Sequence, residues 1–182
     1  MLDGDTKPDD GTPFIVAGMP MYNEEETIGT VVTLALKYAD AVICVDDGSS
    51  DSSARIAEAC GATVIRHRVN RGYGGALKSL FNQAIEEYNT GEYQRAILLY
   101  EAIYDIIPHD EEDQLKRGNI TKETILYNSF FASNKMKDNV KSKEILQQLI
   151  DINFNEPAIY IHMSNIFIEE GKTEKGIEYL AL

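Results

Sequence analysis

"VICVDDGSSD", residues 42–51, starts as an apolar run and ends in two adjacent carboxylates, Asp46 and Asp47, followed by a Gly-Ser turn. A short apolar run bounded by turn residues reads as a buried strand. Two acids at its end have two readings. One is a turn-stabilising pair feeding the Ser-rich cap of the next helix. The other is a ligand site beyond the carboxyl end of a parallel strand, where open α/β sheets hold their ligands.

The flanking sequence supplies the sheet. "FIVAGMP" (14–20) is a second short apolar run, stopped by Pro20, and reads as a buried parallel strand. "NEEETIGTVVTLALKYA" (23–39) then reads as a helix, with Ile28, Val31, Val32 and Leu36 on one face. Asn23 is its expected N-cap, and three Glu favour the positive helix end. Beyond the strand "AVICVDD" (41–47), "SSDSSARIAEACG" (49–61) reads as a helix stopped by Gly61. "ATVIRHR" (62–68) is a third strand, and "RGYGGALKSLF" (71–81) opens a third helix. Strands alternating with helices at this spacing imply parallel βαβ units. Three loops then meet at one rim: "PMYNEE", "DDGSSD" and "RVNRGYGG".

Composition narrows the class. The formal charge of −13 argues against nucleic acid as a partner, since phosphate binding needs clustered Lys and Arg. No apolar run reaches membrane-span length. Residues 1–12 begin "MLDGDTKPDD", too polar and acidic for a signal peptide, and read as a disordered leader. Cys44 and Cys60 stand in different elements and read as free, buried thiols of a reducing, cytoplasmic compartment. With three His, the chain offers too few ligands for a zinc site. "GYGGAL" does not complete G-x-G-x-x-G, and no G-x-x-x-x-G-K-S/T occurs.

The motifs "MPMYNEEETIGTVV", "VICVDDGSSDSSARIAEACGATVIRH" and "NRGYGGALKSL" resemble, in order and spacing, the start of family 2 glycosyltransferases, nearest the dolichyl-phosphate mannose synthase type. The resemblance covers about residues 13–80. It implies half of a GT-A fold whose motifs bind a nucleotide-diphospho-sugar. Carried over by position, Pro20, Tyr22 and Glu24 would line the base and ribose pocket, and Val45 and Asp47 would contact base or ribose. A carboxylate suits that task because it accepts hydrogen bonds from N–H or O–H groups. Asp46 would orient the turn. Asn70, Gly72 and Gly75 would shape the loop near the diphosphate, with Arg71 offsetting its charge. His67 reads as a polar strand-end residue and Tyr73 as a packing residue.

The same resemblance sets an expectation that the chain does not meet. The family holds Mg²⁺ or Mn²⁺ with a D-x-D or D-A-D motif after a fourth strand. After Phe81 no such strand and motif follow. "HDEED" (109–113) is acidic but reads as a solvated turn between helices. No catalytic residue and no metal ligand is therefore assigned.

Composition shifts near residue 82. Asn rises from two to nine and Lys from three to eight across that point, while the charge divides as −5 and −8. From about residue 77 the pattern is helical. "YNTGEYQRAILLYEAIYDIIPHD" (88–110) resembles the core of a tetratricopeptide repeat, with Gly91 in the turn, Tyr93 and Ala96 in the second helix, and Pro108 at its end. "YIHMSNIFIEEGKTEKGIEYL" (160–180) resembles the same unit, with Gly171 in the turn and Gly176 at the small packing position. Residues 125–153 read as a degenerate middle repeat. Gly91 and Gly171 are 80 residues apart, which is two periods of 34 plus a 12-residue insertion at 111–122. The pattern stops at "GIEYLAL" without a polar capping helix, so that end is expected to be cut or covered.

The expectation is α/β plus all-α. A three-stranded parallel, Rossmann-like βαβαβα unit at 13–81 is followed by a helical repeat array at 77–182, sharing the helix 74–90. The functional reading is a nucleotide-sugar-binding half fused to a protein-interaction scaffold, a natural or engineered chimera without catalytic competence of its own. The alternatives are a scaffold that binds no nucleotide, and an active transferase to a polyprenyl-phosphate acceptor. Expected partners are a nucleotide-diphospho-sugar, a protein or peptide on the repeats, and a second copy paired through the apolar edge strand 14–20.

Overall fold

The computed structural model describes residues 15–110 and 113–181. The leader expected at 1–12, Phe14 of the expected strand 14–20, and Glu111 and Glu112 of "HDEED" lie outside them. The chain divides into two compact units, Met1–Ser79 and Leu80–Leu182.

The first unit contains β1 (Val16–Met21), α1 (Ile28–Ala35), β2 (Ala41–Asp46), α2 (Ser53–Ala59) and β3 (Thr63–Arg66). The helix α3 (Gly72–Thr90) follows, and the division between the units falls inside it. All strand pairing is parallel, in the order β1-β2-β3. β1 is thus an edge strand among the described residues, and Pro20, which has no N–H to donate, is tolerated there. The last paired residues align as Met21, Asp46 and Arg66, so the three following loops leave from one rim. Val42, Cys44 and Val45 of the central strand are buried. Val42 and Cys44 pack with Met21, Ile28, Val32 and Ala57 into one core. Burial lifts the Cys44 thiol to about 11, which leaves it inert. Cys60 is also free but only half-buried.

Both expected helix starts move. The helix expected from Asn23 begins at Ile28, preceded by Thr27, whose hydroxyl bonds Glu24 and not the helix, and the one expected from Ser49 begins at Ser53. Asn23 is not a cap. Its φ is 53°, and its side chain is engaged elsewhere, as described below. Being only eight residues long, α1 buries Ile28 and Val32, while Val31 of the expected apolar face is exposed. Gly61 follows α2 in a left-handed conformation, and its N–H donates to the Glu58 carbonyl.

The second unit is helical: α4 (Tyr93–Ile106), a 3-10 turn at Ile107–His109 containing Pro108, α5 (Gln114–Arg117), α6 (Lys122–Lys135), α7 (Asn139–Asp151), α8 (Pro157–Glu169) and α9 (Thr173–Leu180). α4 packs on α6, α6 on α7, α7 on α8, and α8 on α9. Phe130, Leu146, Leu149, Ile159 and Met163 form its fully buried centre. Thr121 caps α6 by accepting from Thr124 N–H, and Asp138 caps α7 by accepting from Lys141 N–H. The inter-helix turns carry left-handed residues at Gly91, Asp113, Asn119, Lys137, Asn153 and Gly171, of which Gly91, Lys137 and Gly171 share a pattern. These three stand 46 and 34 residues apart, and each is followed five positions later by a small buried residue, Ala96, Ser142 and Gly176. At Gly176 an added Cβ would lie 2.9 Å from the Ser164 carbonyl oxygen, so α8 and α9 approach closely there. Among the described residues no helix is long and apolar enough to cross a membrane.

Candidate functional site

The rim of the sheet is built from three loops that hold one another. The loops after β1 and β2 are joined by reciprocal backbone-to-side-chain hydrogen bonds. Asn23 N–H donates to Ser49 Oγ at 2.9 Å, and Ser50 N–H donates back to Asn23 Oδ1 at 2.9 Å. Glu24 N–H donates to Ser53 Oγ at 2.6 Å, and Glu25 N–H to Asp51 Oδ2 at 3.2 Å. Ser52 N–H donates to Glu25 Oε2 at 2.9 Å. The run "SSDSS" therefore exchanges hydrogen bonds with its neighbour, accepting through side chains and donating through backbone N–H groups. The Ser53 hydroxyl, helped by the Ser53 and Glu25 N–H groups, holds Asp51 below the usual carboxylate range against the opposing pull of desolvation.

Asp47 joins the second loop to the third. Its N–H donates to the Met21 carbonyl at 2.9 Å, which ties the ends of β1 and β2. Its Oδ1 accepts from Arg71 N–H at 2.8 Å and lies 2.6 Å from His67 Nδ1. The far nitrogen of that ring, Nε2, lies 2.7 Å from Ser79 Oγ on α3. Asp46 turns the other way, and its Oδ1 accepts from Ser49 N–H at 3.0 Å. Both acids are almost wholly buried, at 5% and 4% exposure. Each has partners, as buried carboxylates require.

The seven residues expected to contact a nucleotide separate into groups. Pro20 and Val45 are register partners near the ends of β1 and β2. Val45 is buried on the opposite sheet face from Cys44, by strand alternation. Tyr22 is 47% exposed at the rim, and Glu24, also exposed, accepts from Thr27 Oγ1 through Oε2. Asn70 Oδ1 accepts from Gly72 N–H at 2.8 Å and shapes the turn into α3. Gly72 has φ of 76° with no atom within 4 Å of a built Cβ, so conformation rather than close approach requires glycine there.

Two features of this rim escaped the sequence reading. One is Gly48, whose built Cβ would stand 2.7 Å from the Val69 carbonyl carbon and 2.8 Å from Asn70 N. The backbones of the second and third loops touch at that point. The other is the Asp47–His67–Ser79 chain. His67 is more than a strand-end polar residue, because its ring is enclosed and bonded at both nitrogens. Its place one residue past β3 was the available signal. Nothing local marks Ser79.

Residues 17–90 match the family described as "Glycosyl transferase family 2". The amino-terminal segment is glycosyltransferase family 2-like. The match starts in β1, runs through all of α3, and includes all seven candidate residues. A curated relative, the uncharacterized protein MJ1222 of Methanocaldococcus jannaschii, is 45% identical over 65 residues, which are 35% of this chain and 26% of that protein. The chain thus spans about a quarter of that relative's length.

The divalent cation that this family implies finds no fitting ligand set among the described residues. No group of three His, Cys, Asp or Glu side chains is arranged to hold a metal. Asp46 and Asp47 are committed to the turn and to His67. Asp110 of "HDEED" accepts from the Gln114 and Leu115 N–H groups and so caps α5.

Proposed function

We propose that the amino-terminal unit is the nucleotide-recognising half of a nucleotide-diphospho-sugar site, lined by Pro20, Tyr22, Glu24, Val45, Asp47, Asn70 and Gly72. The observation that carries this reading is the buried Asp47, whose backbone N–H bonds the Met21 carbonyl at the end of β1 and whose carboxylate is bonded by His67 and Arg71 N–H of the third loop. An acceptor-only group fixed at such a rim suits a base N–H or a ribose hydroxyl. Arg71, exposed just before the first turn of α3, suits the diphosphate, since helix N-termini favour anions. The family match over 17–90 supports the same assignment.

The helical unit we read as a tetratricopeptide-like array that receives a protein or peptide, fused to the first unit. The turn residues Gly91, Lys137 and Gly171, each followed by a small buried residue, favour it over an unpatterned bundle. Glycosyl transfer by this chain alone is not expected, because the residues after β3 enter helices rather than a metal-binding strand end.

Isothermal titration and thermal-shift measurements with UDP, GDP and their sugars, with and without Mn²⁺, test the reading. The expected result is saturable binding of at least one nucleoside diphosphate, without turnover. Tyr22→Ala, a change at an exposed side chain, should weaken that binding about fivefold or more, the loss of one base-stacking or ribose contact. Absence of binding across the panel would leave the helical scaffold as the surviving function. Manganese-dependent release of sugar would instead establish an active transferase.

A further inference from the structure

Asp47 and His67 form a buried pair, with side chains 6% and 5% exposed, 20 residues apart in sequence. Their geometry constrains the proton. A neutral imidazole has one donor and one acceptor nitrogen. In the neutral ring, an Nδ1 that donates to the carboxylate leaves Nε2 to accept from the Ser79 hydroxyl at 2.7 Å. Ser79 therefore sets the far side of the ring, and the ring sets the carboxylate. The hydrogen bonds from His67 and from Arg71 N–H both fall on Asp47 Oδ1. The second oxygen is fixed in direction without being used by these partners. In a site this enclosed a charge-assisted hydrogen bond is stronger than in water.

We infer that His67 is a positioning residue for ligand binding: held by Ser79, it locks Asp47 so that the second carboxylate oxygen faces the hydrogen-bond donors of a nucleoside diphosphate. The inference rests on the nucleotide reading above. It adds a residue that touches no ligand and a helix, α3, that fixes the site from behind. The alternative role of the same contacts is structural. In that case His67 would hold the third loop in place, and ligand affinity would follow only the folded fraction.

The test compares affinities of folded protein for UDP and GDP by titration calorimetry, well below the melting temperature of each variant. His67→Ala should weaken binding about tenfold, the cost of a lost charge-assisted hydrogen bond. His67→Asn, whose side-chain amide can place a donor near the position of Nδ1, should recover most of that loss. Ser79→Ala, which keeps the Asp47–His67 contact, should weaken binding about twofold to threefold, and it carries the comparison if His67→Ala does not fold. A ligand-free readout accompanies it. The long-range ¹H–¹⁵N spectrum, assigned by the resonance missing in His67→Asn, should show the Nδ1-protonated tautomer. Unchanged affinity in folded His67→Ala would overturn the positioning role while leaving the nucleotide site standing. The Nε2-protonated tautomer, or a freely exchanging ring, would overturn it whatever the affinities. If the unmutated chain binds neither nucleotide, the site assignment fails and the positioning role falls with it.

Discussion

The two units bury polar groups in opposite ways. In the α/β unit Asp46, Asp47, Ser53 and the His67 ring are buried polar groups at the strand-end rim, and their bonds reach loops up to 29 residues away. In the helical unit they are Ser129, Ser133, Ser142 and Ser164, hydroxyls lying between packed helices. Ser133 and Ser142 bond each other at 2.8 Å, and Ser133 also donates to the Phe130 carbonyl. Ser164 Oγ has no partner among the described residues. A buried charge is tolerated only when it is bonded, so the carboxylates organise whatever surrounds them. A buried hydroxyl costs less and organises little. The first unit thus spends its polar groups on fixing a rim, and the second leaves its order to apolar packing.

The sharpest way to break this comparison is at the turns. Gly48→Ala should destabilise the first unit by about 3 kcal/mol, adding left-handed strain to overlap with the Val69–Asn70 backbone. Gly91→Ala, at φ of 91° with open space around it, should cost the second unit only about 1 kcal/mol. Urea unfolding of both variants measures the pair. Equal losses would mean that the loops of the first unit are not in close contact.

A smaller effect is expected on acidification. His162 packs on the Phe130 ring at 4.8 Å, and burial holds its imidazole below the ordinary value. Between that lowered value and the unfolded value of about 6.5 the unfolded chain binds more protons, so stability falls as the pH drops through this window. Above it, the group makes no difference. His162→Gln should flatten that part of the pH profile of the urea midpoint. A variant profile that keeps the full wild-type slope would count against it. The smallest change is Ser164→Ala, which removes an unpartnered hydroxyl and should be neutral or stabilising by up to about 1 kcal/mol. A loss of stability there would reveal a partner for that oxygen.

The strands and the position of the rim were legible because they follow from short-range signals: apolar runs of strand length, a stop at Pro20, and turn residues after Asp47. The helix starts were not. Asn and Ser ahead of an apolar-periodic stretch ordinarily signal a cap. Here Asn23, Ser49 and Ser53 instead bond to the neighbouring loop, at separations no local rule can see. The turns at Gly91 and Gly171 were readable from glycine. Lys137 adopts the same left-handed conformation, and a lysine does not advertise it. Candidate residues were placed by motif, whereas the His67–Ser79 support came only with coordinates, since the two residues sit on different elements.

The touching backbones at Gly48 bear on anyone who would transplant this rim. The "DDGSSD" segment is no self-standing cassette. Grafted alone onto another sheet, it would meet foreign neighbours where Val69, Asn70 and Asn23 now fit against it, and the tight corner would spring open. A workable graft carries 22–25, 47–53 and 67–71 together.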